Sequence, residues 1–379
     1  MFLTKYPGMK FMKILLVNKG VFPWLGGIET AVRMYANAYR DLGHTVTILV
    51  THQSKGLDTI QESLDGIKVI RCRTNLRIFN LNISLDLIKY IIKNSLNFDL
   101  VHFNEPHYLG LLAFLFAKKK TYVISYHAEL TKFSFLPKLL ETIFRRIYKG
   151  SSYIIIGNPT LTYRRGVVNE NADRVKLIPY CDDILPRKSE EVKLKWDIPS
   201  KYFFAFSRYS HYKGFEVLEE SINMVEGDIN FVFAISGDMP SDLKNRLISH
   251  DNVQLINRNI SKDEKSYLFR NSYCYLFPSV NISESFGITQ VEALKYGKPI
   301  INTYLPSGVP LVSLDNITGL TVFPQNPGEL AIAISKMWNL DSAIYKRMSK
   351  RCVDRYNENY SYQCFQKNIN ELLLNLKKR

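Results

Sequence analysis

The chain alternates short apolar runs with longer stretches of helical spacing. Lys13–Asn18 reads as a strand. Ile28–Leu42 then places Ala31, Met34, Tyr35, Ala38 and Leu42 on one side of a helix that Gly43 stops. His44–Thr51, Gly66–Cys72, Asp99–Asn104, Thr121–His127, Ser152–Gly157 and Val175–Pro179 read as further strands, with an apolar helix around Tyr108–Phe116. Strands that alternate with helices and are apolar throughout predict a parallel sheet covered on both faces. The pattern breaks over Cys181–Ser200, which holds Pro186, Pro199 and a charged run from Arg187 to Lys195. A second series follows: Tyr202–Ser207, Phe231–Ser236, Val253–Asn257, Cys274–Phe277 and Pro299–Thr303. From Leu330 onward the spacing is helical, ending through Phe365, Ile369, Leu372 and Leu373.

This predicts an α/β fold of two Rossmann-like parallel-sheet domains facing a central cleft, where ligands of two-domain proteins bind. The expected division is an N-terminal extension over 1–11, a first domain over 12–184 and a linker over 185–200. A second domain follows over 201–357, then a C-terminal helix over 358–379 that returns to the first domain. The length of 379 residues supports two full cores. The net charge of +15 is dispersed along the chain, so it does not by itself favour nucleic acid over an anionic substrate or a membrane surface. Five widely spaced cysteines without C-x-x-C argue against a disulfide framework or a zinc knuckle and fit a reducing cytosol. No apolar run approaches a membrane span, and Ile14–Val17 is too short for a signal peptide. The segment Lys118–Lys149 carries eight basic and two acidic residues. Within it Leu136, Leu139, Leu140, Ile143, Phe144 and Ile147 form one apolar face. Such a segment fits an anionic bilayer surface, and fits a core helix with a solvated basic face equally.

The chemistry concentrates at loops that follow strands. Ser279–Gly297 reads SVNISESFGITQVEALKYG and runs from a buried strand through a loop into a helix. Its two carboxylates, Glu284 and Glu292, lie beside a helix N-terminus able to meet a phosphate-bearing ligand. Arg208 and Lys213 fall in the turn after the first strand of the second domain. Two cations there suit a diphosphate, one of them able to fork; an ordinary exposed loop would also hold them. Gly26-Gly27 opens the first helix and permits close backbone approach, although a plain strand-to-helix turn explains it as well. It is not G-x-G-x-x-G. His127 ends a strand of the first domain, the position of a ligand contact or of a satisfied core histidine. There is no H-E-x-x-H, H-x-x-x-H or D-x-D, so no metal site is expected.

These fragments match, in order and spacing, the family 4 retaining glycosyltransferases of the GT-B architecture. The strongest match is Phe277-Pro278-Ser279, Glu284-Ser285-Phe286-Gly287, Glu292-Ala293 and Gly297-Lys298-Pro299, which resembles the family's E-x7-E region. Arg208 with Lys213-Gly214, Gly26-Gly27, and Gly319-Leu320 with Pro324 and Leu330-Ala331 extend the resemblance to nearly the whole chain. It implies that Arg208 and Lys213 hold the diphosphate of a nucleotide sugar and that Glu292 accepts the ribose hydroxyls. Glu284 would face the donor sugar, as would the amides of Phe286, Gly287 and Ile288. His127 would reach the donor sugar, and Gly27 would let the first helix approach the phosphates. Catalytic roles thus fall to Glu284, His127, Arg208 and Lys213, with no metal or other cofactor. Three departures stand out: Tyr180-Cys181 in the family's usual I-P-N-G, Met239 in its G-x-G-P, and Leu305–Pro310 where many members carry a glycine pair followed by Glu. Tyr126-His127, Tyr209–Gly214 and Ser283–Thr289 are most similar to bacterial O-antigen mannosyltransferases. That implies GDP-mannose as donor, with a UDP-hexose or UDP-N-acetylhexosamine as the alternative. It also implies a polyprenyl-diphosphate-linked glycan acceptor and peripheral contact with the cytoplasmic face of the inner membrane, with no nucleic acid. A nucleotide-sugar 2-epimerase of the same architecture is the other enzyme reading.

Overall fold

A computed structural model describes residues 11–21, 26–78, 81–117, 121–127, 141–164, 166–182 and 198–376. Residues 1–10, most of the 185–200 segment, the 128–140 part of the basic segment and 377–379 lie outside the described residues. The chain divides into two compact units, Met1–Tyr180 with Phe365–Arg379, and Cys181–Cys364.

The first unit is built on an eight-stranded sheet ordered β10-β9-β8-β7-β1-β2-β4-β3. Its strands are β1 (Lys13–Val17), β2 (Thr45–Lys55), β3 (Ile60–Leu64), β4 (Ile67–Thr74), β7 (Leu100–Glu105), β8 (Tyr122–Tyr126), β9 (Tyr153–Ile156) and β10 (Val175–Leu177). Central strands are buried along their whole length, as the unbroken apolar runs require of strands covered on both faces. Leu15, Val17, Phe103, Ile124 and Ile154 pack one face under the helices Leu85–Asn94, Tyr108–Phe114 and Glu141–Gly150. The helix Gly27–Asp41 buries Ala31, Met34, Tyr35 and Ala38. Phe365, on the helix Tyr362–Leu376, packs on Tyr35 at 5.3 Å between ring centroids.

The second unit carries a six-stranded, all-parallel sheet ordered β13-β12-β11-β14-β15-β16. These are β11 (Phe203–Arg208), β12 (Phe231–Ser236), β13 (Val253–Ile256), β14 (Cys274–Phe277), β15 (Ile300–Thr303) and β16 (Gly319–Val322). Phe203, Phe231 and Phe233 centre its core, with Phe203 stacked on Trp338 at 5.7 Å.

Four strands escape the hydrophobic pattern. β3 runs antiparallel to β4, so the first sheet is mixed and not wholly parallel. Asp65-Gly66 joins them with φ of 50° and 78°, the positive values a two-residue primed hairpin needs. Gly66 therefore lies in the turn and not in the strand. β5 (Leu76–Ile78) and β6 (Leu81–Ile83) form a separate small hairpin of short segments without alternation. β16 begins at Gly319, where an added Cβ would lie 1.8 Å from the Ile300 carbonyl oxygen, so only glycine allows that pairing. Of the apolar face of the basic segment, Leu136, Leu139 and Leu140 lie outside the described residues, and Ile143 is exposed. Phe144 and Ile147 enter the core with Tyr148, while Arg145, Arg146 and Lys149 face solvent. The described part of this segment is a core helix with a solvated basic face.

Candidate functional site

In the second unit, parallel strands aim their carboxyl ends at one edge, and the loops there collect the candidate residues. β11 delivers Arg208 as its last residue, in register with Ser236 of β12. Arg208 is thus a strand residue and not part of the turn, because the ladder continues through Tyr209 N–H to the Ser236 carbonyl. Its aliphatic stem lies over Gly237, where an added Cβ would be 3.2 Å from Arg208 Cγ. Among the described residues its guanidinium forms no hydrogen bond or ion pair. The chain then makes a short 3-10 turn, His211–Lys213, closed by Gly214 at φ 74°. Any Cβ at Gly214 would sit 2.0 Å from the Pro278 carbonyl oxygen. That close approach presses the turn after β11 against the loop after β14, and Val280 N–H donates to the Tyr212 carbonyl across the same seam.

The seam brings Lys213 to Glu284. Lys213 Nζ lies 2.5 Å from Glu284 Oε2, with 19% and 11% of the side chains exposed. Ser279 Oγ donates to the same oxygen at 3.4 Å. Burial opposes the Lys213 charge, but Glu284 and Tyr212 outweigh it and hold its pKa above the usual lysine value. Gly287, at φ 81°, starts the helix Ile288–Lys295, whose first amides have no partner inside the helix. This helix buries Glu292, and Lys265 Nζ lies 2.6 Å from Glu292 Oε1. Lys265 comes from the first turn of the helix Lys262–Asn271, which the Ser261–Glu264 capping box starts. Its ammonium also sits 5.5 Å from the centre of the Phe206 ring. Lys265 is a member the sequence reading missed. An N-terminal lysine on an amphipathic helix carries no local signal, and only the fold puts it beside Glu292.

In the first unit, His127 follows β8 and is 4% exposed. Asn104 Nδ2 donates to the Val17 carbonyl, which turns Asn104 Oδ1 towards His127 Nε2 at 3.0 Å. Nε2 therefore carries the proton, and Nδ1 accepts from the Tyr180 hydroxyl at 2.5 Å. Burial pushes the imidazole pKa down to about 3, so the ring is neutral. Both ring nitrogens are used inside this unit. Tyr180, one of the departures from the family pattern, fits because position 157 is glycine: a Cβ there would lie 2.4 Å from the Tyr180 ring. At the first helix, an added Cβ on Gly26 would meet Glu29 Oε2 at 2.2 Å, the movable end of a side chain, so packing does not require glycine there. At Gly27 nothing lies within 4 Å, and the chain's own atoms do not explain the glycine.

The candidates thus form two sets, each held within its own unit: Arg208, Lys213, Glu284, Phe286, Gly287, Ile288 and Glu292 in one, Gly26, Gly27 and His127 in the other. Among the described residues no three His, Cys, Asp or Glu side chains gather as metal ligands. No described helix is long and apolar enough to cross a membrane.

A set of cations and carboxylates thus gathers on the carboxyl edge of a parallel sheet, and comparison with known proteins gives the chain a family. Residues 186–354 match the model for Glycosyl transferases group 1, and residues 25–162 match Glycosyltransferase Family 4. The chain is a GT-B glycosyltransferase of the family 4 type. The glycosyltransferase is 20% identical over 354 residues to O-antigen chain mannosyltransferase C of Escherichia coli, covering 92% of each chain. It is 25% identical over 280 residues to D-rhamnosyltransferase WbpZ of Pseudomonas aeruginosa, covering 72% of this chain and 73% of that one. A glycosyltransferase from Rickettsia africae shares the fold with a TM-score of 0.74 at 19% identity, over 98% of this chain and 100% of that one. Anabaena HepE in complex with UDP and glucose shares it with a TM-score of 0.74 at 16% identity, over 96% and 100%.

Proposed function

We propose that the enzyme moves one hexosyl group, mannosyl from GDP-mannose, to a lipid-linked glycan during O-antigen-type surface polysaccharide synthesis, with retention at the anomeric carbon. The observation that carries the reading is the pairing of both carboxylates of the loop-helix segment with lysines from neighbouring loops, Glu284 with Lys213 and Glu292 with Lys265. The name of the Escherichia coli relative supports the sugar and the pathway class, whereas the Pseudomonas aeruginosa relative is named for D-rhamnosyl transfer.

In this reading the bond from the anomeric carbon to the diphosphate oxygen breaks as the acceptor hydroxyl oxygen bonds to the same face of that carbon. The hydroxyl proton passes to the departing phosphate oxygen. Arg208 and Lys213 meet the charge that grows on the diphosphate, which preorganised cations stabilise most when partly shielded from water. Glu284 stabilises the oxocarbenium-like centre without attacking it. Glu292, oriented by Lys265, accepts from the ribose. His127, with both nitrogens committed inside the first unit, is a fixed neutral ring and carries no proton in the transfer. No metal takes part. Contact with the cytoplasmic face of the inner membrane runs through the basic face at Arg146 and Lys149, by charge, since Phe144 and Ile147 of that helix are core.

A thermal-shift panel of GDP-mannose, UDP-glucose, UDP-galactose and UDP-N-acetylhexosamines tests the donor, since a ligand of the folded form raises Tm. GDP-mannose is expected to shift Tm most. A larger shift with a UDP sugar overturns the donor. An inverted product anomer by NMR overturns retention, and free epimerised sugar without acceptor overturns transfer.

A further inference from the structure

A second group of polar residues at the carboxyl edge of the first unit's sheet has no part in this scheme. β1 and β7 are neighbours, with Val17 opposite Phe103. Lys19 and His107 each follow these strands, so both leave the same edge. His107 is 6% exposed, and neither ring nitrogen has a hydrogen-bond partner. Its Nδ1 side lies over Gly110, where an added Cβ would meet Nδ1 at 3.1 Å. Lys19 is half-buried and, among the described residues, its ammonium makes no hydrogen bond or ion pair. Burial and the Arg77 charge lower its pKa, and Glu29 opposes them. Burial, followed by the Lys19 charge, brings the His107 pKa down to about 4. Gln53 reaches the same place: its Nε2 is 2.8 Å from a Cβ built on Gly20, and its carbonyl accepts from Arg77.

A buried polar group without a partner has lost its hydration and gained nothing in exchange, so native proteins rarely keep one without cause. Here an unpartnered imidazole and an unpaired ammonium stand together, with a second cation beside them. A ligand oxyanion satisfies the first two, accepting from the imidazole N–H and neutralising Lys19 against Arg77, which already donates to Gln53.

We infer that Lys19 and His107 form a phosphoryl-binding site in the first unit, separate from Arg208 and Lys213. Resting on the transferase reading, the phosphoryl group is assigned to the diphosphate of the lipid-linked acceptor.

The test is calorimetric titration of inorganic pyrophosphate and of farnesyl diphosphate, a short polyprenyl diphosphate, into the full chain carrying R208A/K213A, which lacks the two cations assigned to the donor diphosphate. Both probes are expected to bind, and adding Lys19→Met or His107→Gln weakens each at least tenfold. In the otherwise unaltered chain, Lys19→Met is expected to leave nucleoside diphosphate affinity within twofold. No pyrophosphate binding to R208A/K213A, or binding that K19M leaves unchanged, overturns the site. Lys19→Met weakening the nucleoside diphosphate while sparing farnesyl diphosphate overturns the acceptor assignment. If His107→Gln does not fold, the half-buried Lys19→Met carries the test alone. None of these readouts needs turnover, so failure to transfer from any donor would refute the transferase reading and leave the site standing.

Discussion

Lys213→Met should separate the structural from the chemical role of the lysine. In the native chain Lys213 Nζ is 2.5 Å from Glu284 Oε2, and both side chains are largely buried. Removing the ammonium leaves the Glu284 carboxylate with Ser279 Oγ, at 3.4 Å, among its described partners. Breaking a fully buried ion pair from one side destabilises by about 3–5 kcal/mol. Residual exposure of 11% at Glu284 lets water screen part of the loss, so about 2–3 kcal/mol is expected here. With a urea dependence of about 2–3 kcal/mol per M, the unfolding midpoint should fall by about 1 M. The double variant K213M/E284Q removes both charges, and apolar or neutral replacement of a buried pair is often neutral. Its midpoint should return to within about 0.3 M of the native chain, an allowance of under 1 kcal/mol on the same slope. Turnover should fall by at least about a hundredfold in both variants, the scale of losing one charge-stabilising donor. A double variant no more stable than Lys213→Met would refute the pairing. A double variant that regains turnover would refute the diphosphate role of Lys213.

Glu292→Gln and Lys265→Met should each weaken nucleoside diphosphate binding about tenfold by calorimetry, with little effect on the rate at saturating donor; additive losses in the double variant would show that Lys265 does not act through Glu292. Tyr180→Phe leaves His127 Nδ1 without its donor inside the protein and should cost about 1–3 kcal/mol in urea unfolding. His102, like His127, is fully buried with its pKa pushed down to about 3, and burial is the main cause in both. Because these folded-state values lie below the unfolded value of about 6.5, the unfolded chain binds more protons below that pH. Stability is therefore full above about pH 6.5 and declines as pH falls toward 3, by at most about 2 kcal/mol per histidine at pH 5. A urea midpoint that is flat from pH 7 to 5 would contradict buried neutral imidazoles.

Much of the fold was legible because its strands are buried on both faces and so read as continuous apolar runs. Cys274–Phe277 and Phe231–Ser236 end where the pattern ends. What escaped was short or on an edge. β3 alternates weakly and is mostly exposed, so its only strong signal was the Asp65-Gly66 turn. β16 is four residues long and depends on a glycine whose reason is a contact with Ile300 across the sheet. The amphipathic face around Phe144 was ambiguous in principle, since a core and a bilayer reward the same spacing.

Legibility at the site had a different limit. Glu284, Glu292, Arg208 and Lys213 stood out because charged residues after apolar strands are conspicuous. Their partners did not. Lys213 and Glu284 are 71 positions apart, and Lys265 and Glu292 are 27 apart. Neither separation has a helical or strand period to reveal it. The residue that joins the first pair is Gly214, whose missing side chain lets the turn close on Pro278. Gly157 does the same for Tyr180 and His127 in the other unit. In both places a glycine selects which two distant polar groups meet. Glycines whose added Cβ would strike a remote backbone or ring therefore mark meetings of distant segments that side-chain spacing does not show, a strand pairing at Gly319 and a polar pair at Gly214 and Gly157. Gly27 is the converse case. Among the described residues no atom lies within 4 Å of a Cβ built there, so the same test selects no partner for it.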